Sequence, residues 1–153
     1  MDAEIAEKIS KGKIVTTSEG TTRNILGDNQ TIKLDGKDTN GLFTILENDN
    51  MPGIGIPMHV HENEDEIFKI LEGEMEFITE GKVSILKEGD IIFLPRKVPH
   101  SFRVVGDKNA RAMVTVIPSG IEEMFEQLGQ LPAGPPDLEK VTKICGDFGI
   151  RFL

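Results

Sequence analysis

The sequence predicts a mainly β fold of the closed or double-sheet antiparallel kind, with short helices confined to the C-terminal end. Three observations carry that expectation. About ten short runs of apolar or alternating residues succeed one another from Lys13 to Ile117, each the length of a strand rather than a helix. Sixteen glycines and eight prolines supply turn chemistry throughout the chain. Beyond the first ten residues, helical periodicity enters only after Ser119. A chain of 153 residues is the size of one domain and can bury most of a core without staples. We divide it into an N-terminal arm with strands (1–26), a barrel core (27–118), and C-terminal helices with a terminal strand packing on the barrel (119–153).

Ala3–Ser10, at the start of the chain, places Ile5 and Ile9 four apart, as in one or two helical turns or a loosely held arm. Lys13–Thr17 and Thr22–Leu26 read as short strands around the turn residues Ser18-Glu19-Gly20. Asn29–Leu34 reads as the next strand, closed by Asp35-Gly36. Leu42–Leu46 comes after it and is expected to break at Asn48-Asp49-Asn50. Beyond Gly73, Glu74–Thr79 and Lys82–Leu86 flank Glu80-Gly81, a hairpin signal. Ile91–Leu94 ends at Pro95, which cannot donate to a ladder. Ala112–Ile117, nearly all apolar, is expected to be buried on both sides. Ser119-Gly-Ile-Glu122 reads as a capping box opening a helix with Ile121, Met124, Phe125 and Leu128 inward and Gly129 at its end. Asp137 caps a second helix with Leu138, Val141 and Ile144 inward, and Ile150, Phe152 and Leu153 form a terminal strand or plug.

The chemistry concentrates between Gly53 and Gly73. In an extended segment His59 and His61 point the same way, and after an acidic turn Glu66 opens the return strand and can bring its carboxylate to the same point. His100 comes directly after Pro99, and alternation sends His100, Phe102 and Val104 to one apolar face. The chain has three histidines, and this reading uses all of them. A bare His-x-His also suits two hydrogen-bonded wall residues; Glu66 and His100 are what turn the pattern toward a metal. Imidazoles with one carboxylate suit divalent Fe, Mn, Ni, Cu or Zn and leave positions open. Asp65 is the competing carboxylate, but on the strand it points away from Glu66. Glu62 and Glu64 are expected to be solvated, as part of an acidic surface.

Gly53-x5-His59-x-His61-x4-Glu66-x6-Gly73 resembles the first motif of the cupins without a gap, and Gly89-x5-Pro95-x4-His100 resembles most of the second. The resemblance implies an antiparallel double-stranded β-helix, or jelly-roll barrel, with a three-histidine, one-glutamate metal site inside it: His59, His61, Glu66 and His100. Lys97 stands where the family usually has a glycine, and Val104 where it often has an asparagine. A looser likeness to bacterial quercetinase-type cupins runs from about Gly27 to the C-terminus. It implies a dioxygenase acting on a small enol- or polyphenol-like substrate, with Glu66 as both ligand and catalytic base. A metal-dependent isomerase or decarboxylase, or a non-catalytic small-ligand-binding module, is the alternative. The family often pairs as homodimers, and we expect one here.

Other readings are set aside by the residues. A net charge of −9 argues against nucleic acid as a partner. No apolar run is long enough for a bilayer, and a single cysteine, Cys145, permits no intramolecular disulfide, which together with the N-terminal residues suggests the cytoplasm. Cys145 itself reads as a small buried hydrophobe. The absence of tyrosine removes a tyrosine acid or base and so disfavours the sugar-epimerase branch of the family. Asp35–Gly41 lacks the spaced acids of a calcium loop, and Asp147-Phe148-Gly149 has no phosphate loop or catalytic loop to make it kinase-like. Phe43, Met58, Phe68, Phe77, Phe93 and Phe102 could line an apolar pocket, with ordinary core as the plainer reading of each.

Overall fold

The computed structural model describes residues 11–153, and among these residues there are eleven strands and two helices. The arm expected over Ala3–Ser10 lies outside the described residues. The strands are β1 (Thr21–Ile25), β2 (Asp28–Leu34), β3 (Thr44–Asn50), β4 (Gly55–His61), β5 (Asp65–Glu72), β6 (Glu74–Thr79), β7 (Lys82–Lys87), β8 (Ile91–Leu94), β9 (His100–Val105), β10 (Ala110–Ile117) and β11 (Ile150–Phe152). They form a six-stranded sheet in the order β1-β2-β3-β10-β5-β8 and a five-stranded sheet in the order β11-β4-β9-β6-β7. Every pairing is antiparallel. The jelly-roll expectation therefore holds.

Period-2 alternation builds the core between the sheets. β5 sends Glu66, Phe68 and Ile70 inward; β10 sends Ala110, Ala112, Val114 and Val116; β9 sends His100, Phe102 and Val104. Phe68 from one sheet meets Phe77 and Phe102 from the other, with ring centroids 5.2 and 5.0 Å apart. Edge-on and tilted aromatic contacts of this kind add to the area they bury. The β6–β7 hairpin turns at Glu80 (φ 51°) and Gly81 (φ 73°), the left-handed pair that a two-residue hairpin requires.

Helices α1 (Ile121–Gly129) and α2 (Leu138–Asp147) pack beside the barrel, and β11 then joins the edge of β4. Ile121, Met124 and Leu128 are buried, as the α1 periodicity requires. Asp137 caps α2 by accepting from the Lys140 N–H.

Five local expectations are corrected. Lys13–Thr17 is not a strand, because the Lys33 ammonium donates to the carbonyls of Thr16, Thr17 and Glu19, taking up acceptors that a ladder would have used. The strand expected to break at Asn48 runs on through Asn50, held between β2 and β10 on either side; partners override propensity here. β10 is buried on one face only, its outward residues being half-covered. Ser119 does not cap α1. Gly120 takes the N-cap position, and the Glu122 carboxylate accepts from the N–H groups of Gly120 and Gly36 and from the Thr44 hydroxyl. On α2, Leu138 is 71% exposed, and Cys145 takes an inward place beside Val141. None of the described helices is long and apolar enough to cross a membrane.

The β4–β9 pairing sets His59 directly opposite His100. Gly55 makes that close approach: a Cβ there would run into the Phe102 carbonyl oxygen and the Arg103 backbone. Gly55→Ala should therefore cost about 1–3 kcal/mol of stability, read by urea denaturation. An unchanged midpoint would show that the two strands can separate freely.

Candidate metal centre

Three strands from two sheets bring four side chains together. β4 supplies His59 and His61, β5 supplies Glu66 and β9 supplies His100, and all four are buried. One nitrogen from each imidazole and one carboxylate oxygen lie within 4.8 Å of one another. The His59 ring centroid is 5.1 Å from that of His61 and 4.4 Å from that of His100. Glu66 pairs across the sheet with Val116 and Leu94, so its carboxylate emerges from an apolar wall.

Each imidazole is turned by a bond at its outer nitrogen. His59 Nδ1 lies 2.7 Å from the Pro57 carbonyl oxygen and His100 Nδ1 lies 3.4 Å from that of Val98. A carbonyl only accepts, so both rings carry their proton on Nδ1 and aim an Nε2 lone pair at the cluster. His61 Nδ1 lies 3.1 Å from Glu64 Oε2, while its Nε2 lies 2.6 Å from Glu66 Oε1. Outer-nitrogen bonds of this sort hold histidines that bind metals. His100 Nε2 is buried without any hydrogen-bond partner. A donor set of three imidazoles and a carboxylate with one lone pair left over fits a divalent transition ion.

Glu64 corrects the sequence reading that left it in solvent. It is only 7% exposed and orients His61. The signal was its place three residues after a candidate ligand in a tight turn, masked by the surrounding acidic run. Glu62, half-buried, pairs with Arg151, and Asp65 faces outward to Arg96. Lys97 adopts φ 69°, the left-handed conformation natural to glycine, and its N–H donates to the His61 carbonyl. The loop thus keeps a glycine-like shape without the glycine.

Electrostatics divides the cluster. Burial pulls His59 down to about 4, helped by the neighbouring His100 and His61. Burial also lowers His100. His61 is pulled down by burial too, but the Glu66 and Glu64 carboxylates outweigh it and raise it to about 9. For Glu66, burial pushes up and the His61 charge prevails, leaving it at about 2. In the metal-free site His61 thus carries the proton that balances Glu66.

The cluster opens on a cavity of about 90 Å³. His59, His61 and Glu66 line it at one end, with Phe68 and Phe102 as apolar wall and Phe152 of β11 beside His59, ring centroids 6.2 Å apart. Phe77 is wholly buried in the core. Phe43 and Met58 are half-buried, and Phe93 is 58% exposed on edge strand β8.

Comparison with known proteins adds relatives to this geometry. Residues 50–117 match the family described as Cupin domain. A quercetin 2,3-dioxygenase of Bacillus subtilis is 35% identical over 94 residues, which are 61% of this chain and 27% of that protein. An oxalate-binding protein of Thermotoga maritima is 35% identical over 66 residues, 43% of this chain and 54% of that protein. The chain thus spans between about a quarter and about half the length of these curated relatives. The crystal structure of a predicted oxalate decarboxylase from Thermotoga maritima superposes with a TM-score of 0.62 at 27% identity, covering 69% of this chain and 99% of that one.

Histidine titration followed by NMR on the metal-free protein checks the electrostatics. Because His61 is raised, it should stay charged at pH 7 and lose its proton near pH 9, whereas His59 should stay neutral down to about pH 4. Glu64→Gln should move the His61 midpoint down toward the ordinary value of 6.5. A His61 midpoint that ignores this substitution would remove Glu64 from the site.

Proposed function

Since this chain belongs to the cupin superfamily, we propose that it is a metal-dependent dioxygenase acting on a small enol- or polyphenol-like molecule. In this reading His59, His61, Glu66 and His100 are the metal ligands, and Glu66 is also the catalytic base. The observation that carries it is the position of Glu66: a buried carboxylate that both belongs to the ligand cluster and lines an apolar cavity. A bound divalent ion, Fe, Mn, Ni, Cu or Zn, would supply Lewis acidity and open positions for a substrate that chelates through oxygen.

The chain's own residues do the rest. Phe68 and Phe102 offer a flat substrate an apolar wall and keep water off it. A hydroxyl lying against that wall is within reach of Glu66, which takes its proton as general base. Glu64 and the Pro57 and Val98 carbonyls hold the three imidazoles in place while this happens. The likeness to a quercetin dioxygenase supports the oxidative chemistry. The likeness to an oxalate-binding protein favours the alternative, a metal-dependent isomerase or decarboxylase or a module that binds a small acid without turning it over.

We also propose a homodimer. Val83 and Ile85 on β7 and Ile91 and Phe93 on β8 are exposed on the last strand of each sheet, where a second copy could cover them. We also propose a cytoplasmic location, in keeping with a single cysteine that permits no intramolecular disulfide.

Metal loading with oxygen uptake tests the enzyme reading. Protein stripped of metal and reloaded should bind one ion per chain, and His100→Ala should weaken that binding by about a hundredfold or more. Oxygen should be consumed with flavonols or catechols under Fe, Mn, Ni or Cu and not under Zn. Equal turnover with Zn would exclude a redox role; a melting shift with oxalate and no turnover under any metal would establish the binding module. Light scattering should give twice the chain mass, and a clean monomer would refute the dimer.

A further inference from the structure

The cavity has a second polar end, remote from the histidines. Inward positions of β2 and β3, which in a barrel of this kind would ordinarily be apolar, are here Asp28, Gln30, Asn48 and Asn50, all buried. Asp28, Gln30 and Asn48 line the same cavity as His59, His61 and Glu66. The Gln30 side-chain amide donates to Asp28 Oδ2 at 2.8 Å, and that of Asn50 donates to Asp28 Oδ1 at 2.7 Å. Asn50 in turn accepts from the Asn29 N–H. Asp28 is therefore fully engaged as an anchor, and it fixes which way Gln30 faces: turning the amide over would set its oxygen against the carboxylate.

One acceptor is left over. Gln30, 6% exposed, holds its Oε1 buried with no hydrogen-bond partner. Among the described residues only two buried side-chain atoms are in this condition, and the other is His100 Nε2 in the histidine cluster. A buried acceptor without a donor is destabilising in the empty protein, so the arrangement makes sense where something else brings the donor. Cross-strand register gives the spacing. Glu66 lies opposite Val116, whereas Gln30 lies opposite Asn48 and Asn48 opposite Ala112. The two ends are thus four residues apart along β10, about 13 Å, and in addition three strands apart across the sheet, from β2 to β5. Leu46, Phe68 and Val114 form apolar wall between them.

We propose that Gln30, anchored by Asp28, is a specificity-determining residue that accepts a hydrogen bond from a hydroxyl at the end of the ligand farthest from the histidine cluster. The inference rests on the reading of this cavity as the binding site of a small hydroxylated molecule, and it narrows that class. The preferred ligand carries a donor at its distal end, and an analogue lacking it leaves Gln30 unpaired and is rejected, as buried polar groups reject partners that cannot bond them. Asn48, opposite Gln30 in the ladder, closes the same end of the cavity.

Phenol against toluene tests this, since the two differ by one hydroxyl and neither chelates a metal. The full chain is titrated without added metal, by calorimetry and by NMR of the side-chain amides. Apolar walls alone favour toluene, because phenol has a hydroxyl to desolvate. The expected result is a phenol dissociation constant at least about tenfold below that of toluene in the unmodified protein, falling to parity or reversing in Gln30→Met. Should that variant not fold, the amide signals of Gln30 in the unmodified protein decide: they should shift with phenol and stay put with toluene. Equal affinities, a ratio untouched by the substitution, amide signals indifferent to phenol, or no binding of either probe up to its solubility would each overturn the inference. Lack of oxygen uptake by metal-loaded protein would remove the dioxygenase reading and leave this comparison standing.

Discussion

A carboxylate placed deep in an apolar interior is the constraint around which this molecule is arranged. Glu66 emerges between Val116 and Leu94, where an unpaired charge would be intolerable, and three imidazoles from two neighbouring strands surround it. Without an ion, His61 meets that charge by holding a proton well above its ordinary range. The proton is a partial answer. It satisfies Glu66 and leaves His100 Nε2 with nothing to bond.

The scaffold fixes this arrangement through register rather than through flexible side chains. The His59–His100 pairing is a property of β4 and β9, so the two rings are placed by backbone hydrogen bonds. Gly55, earlier on β4, lets those strands approach. Phe68, Phe77 and Phe102 bridge the sheets next to the cluster and give the strands a common core to rest on. Rigid elements with bonded outer nitrogens are the conditions under which a site keeps its geometry when a ligand enters.

Much of this was legible in the sequence because two signals have a fixed geometric meaning. Alternation places His59 with His61 and His100 with Phe102, and Gly/Pro punctuation marks where each strand starts and stops. The meeting of the four side chains came from those rules; that they hold an ion is our proposal. What remained hidden was polar residues whose role is set by distant partners. Glu64 looked like one more surface acid until the turn brought it to His61 Nδ1. Asn48 and Asn50 carry a turn composition that argues for a break, yet β2 and β10 hold them in a strand. The polar end of the cavity went unseen for the same reason, since Asp28 and Gln30 find their partners on β2 and β3 only once the strands are paired. Lys13–Thr17 failed in the opposite sense: its β propensity was real, and a lysine from β2 took its carbonyls.

Anomalous diffraction from crystals of manganese- or cobalt-loaded protein, recorded at the metal's absorption edge, tests the central claim most directly. The account requires one strong peak within bonding distance of the Nε2 atoms of His59, His61 and His100 and of the Glu66 carboxylate. A peak elsewhere, or none at full loading, would contradict it, and the four side chains would then be only a buried hydrogen-bonded cluster.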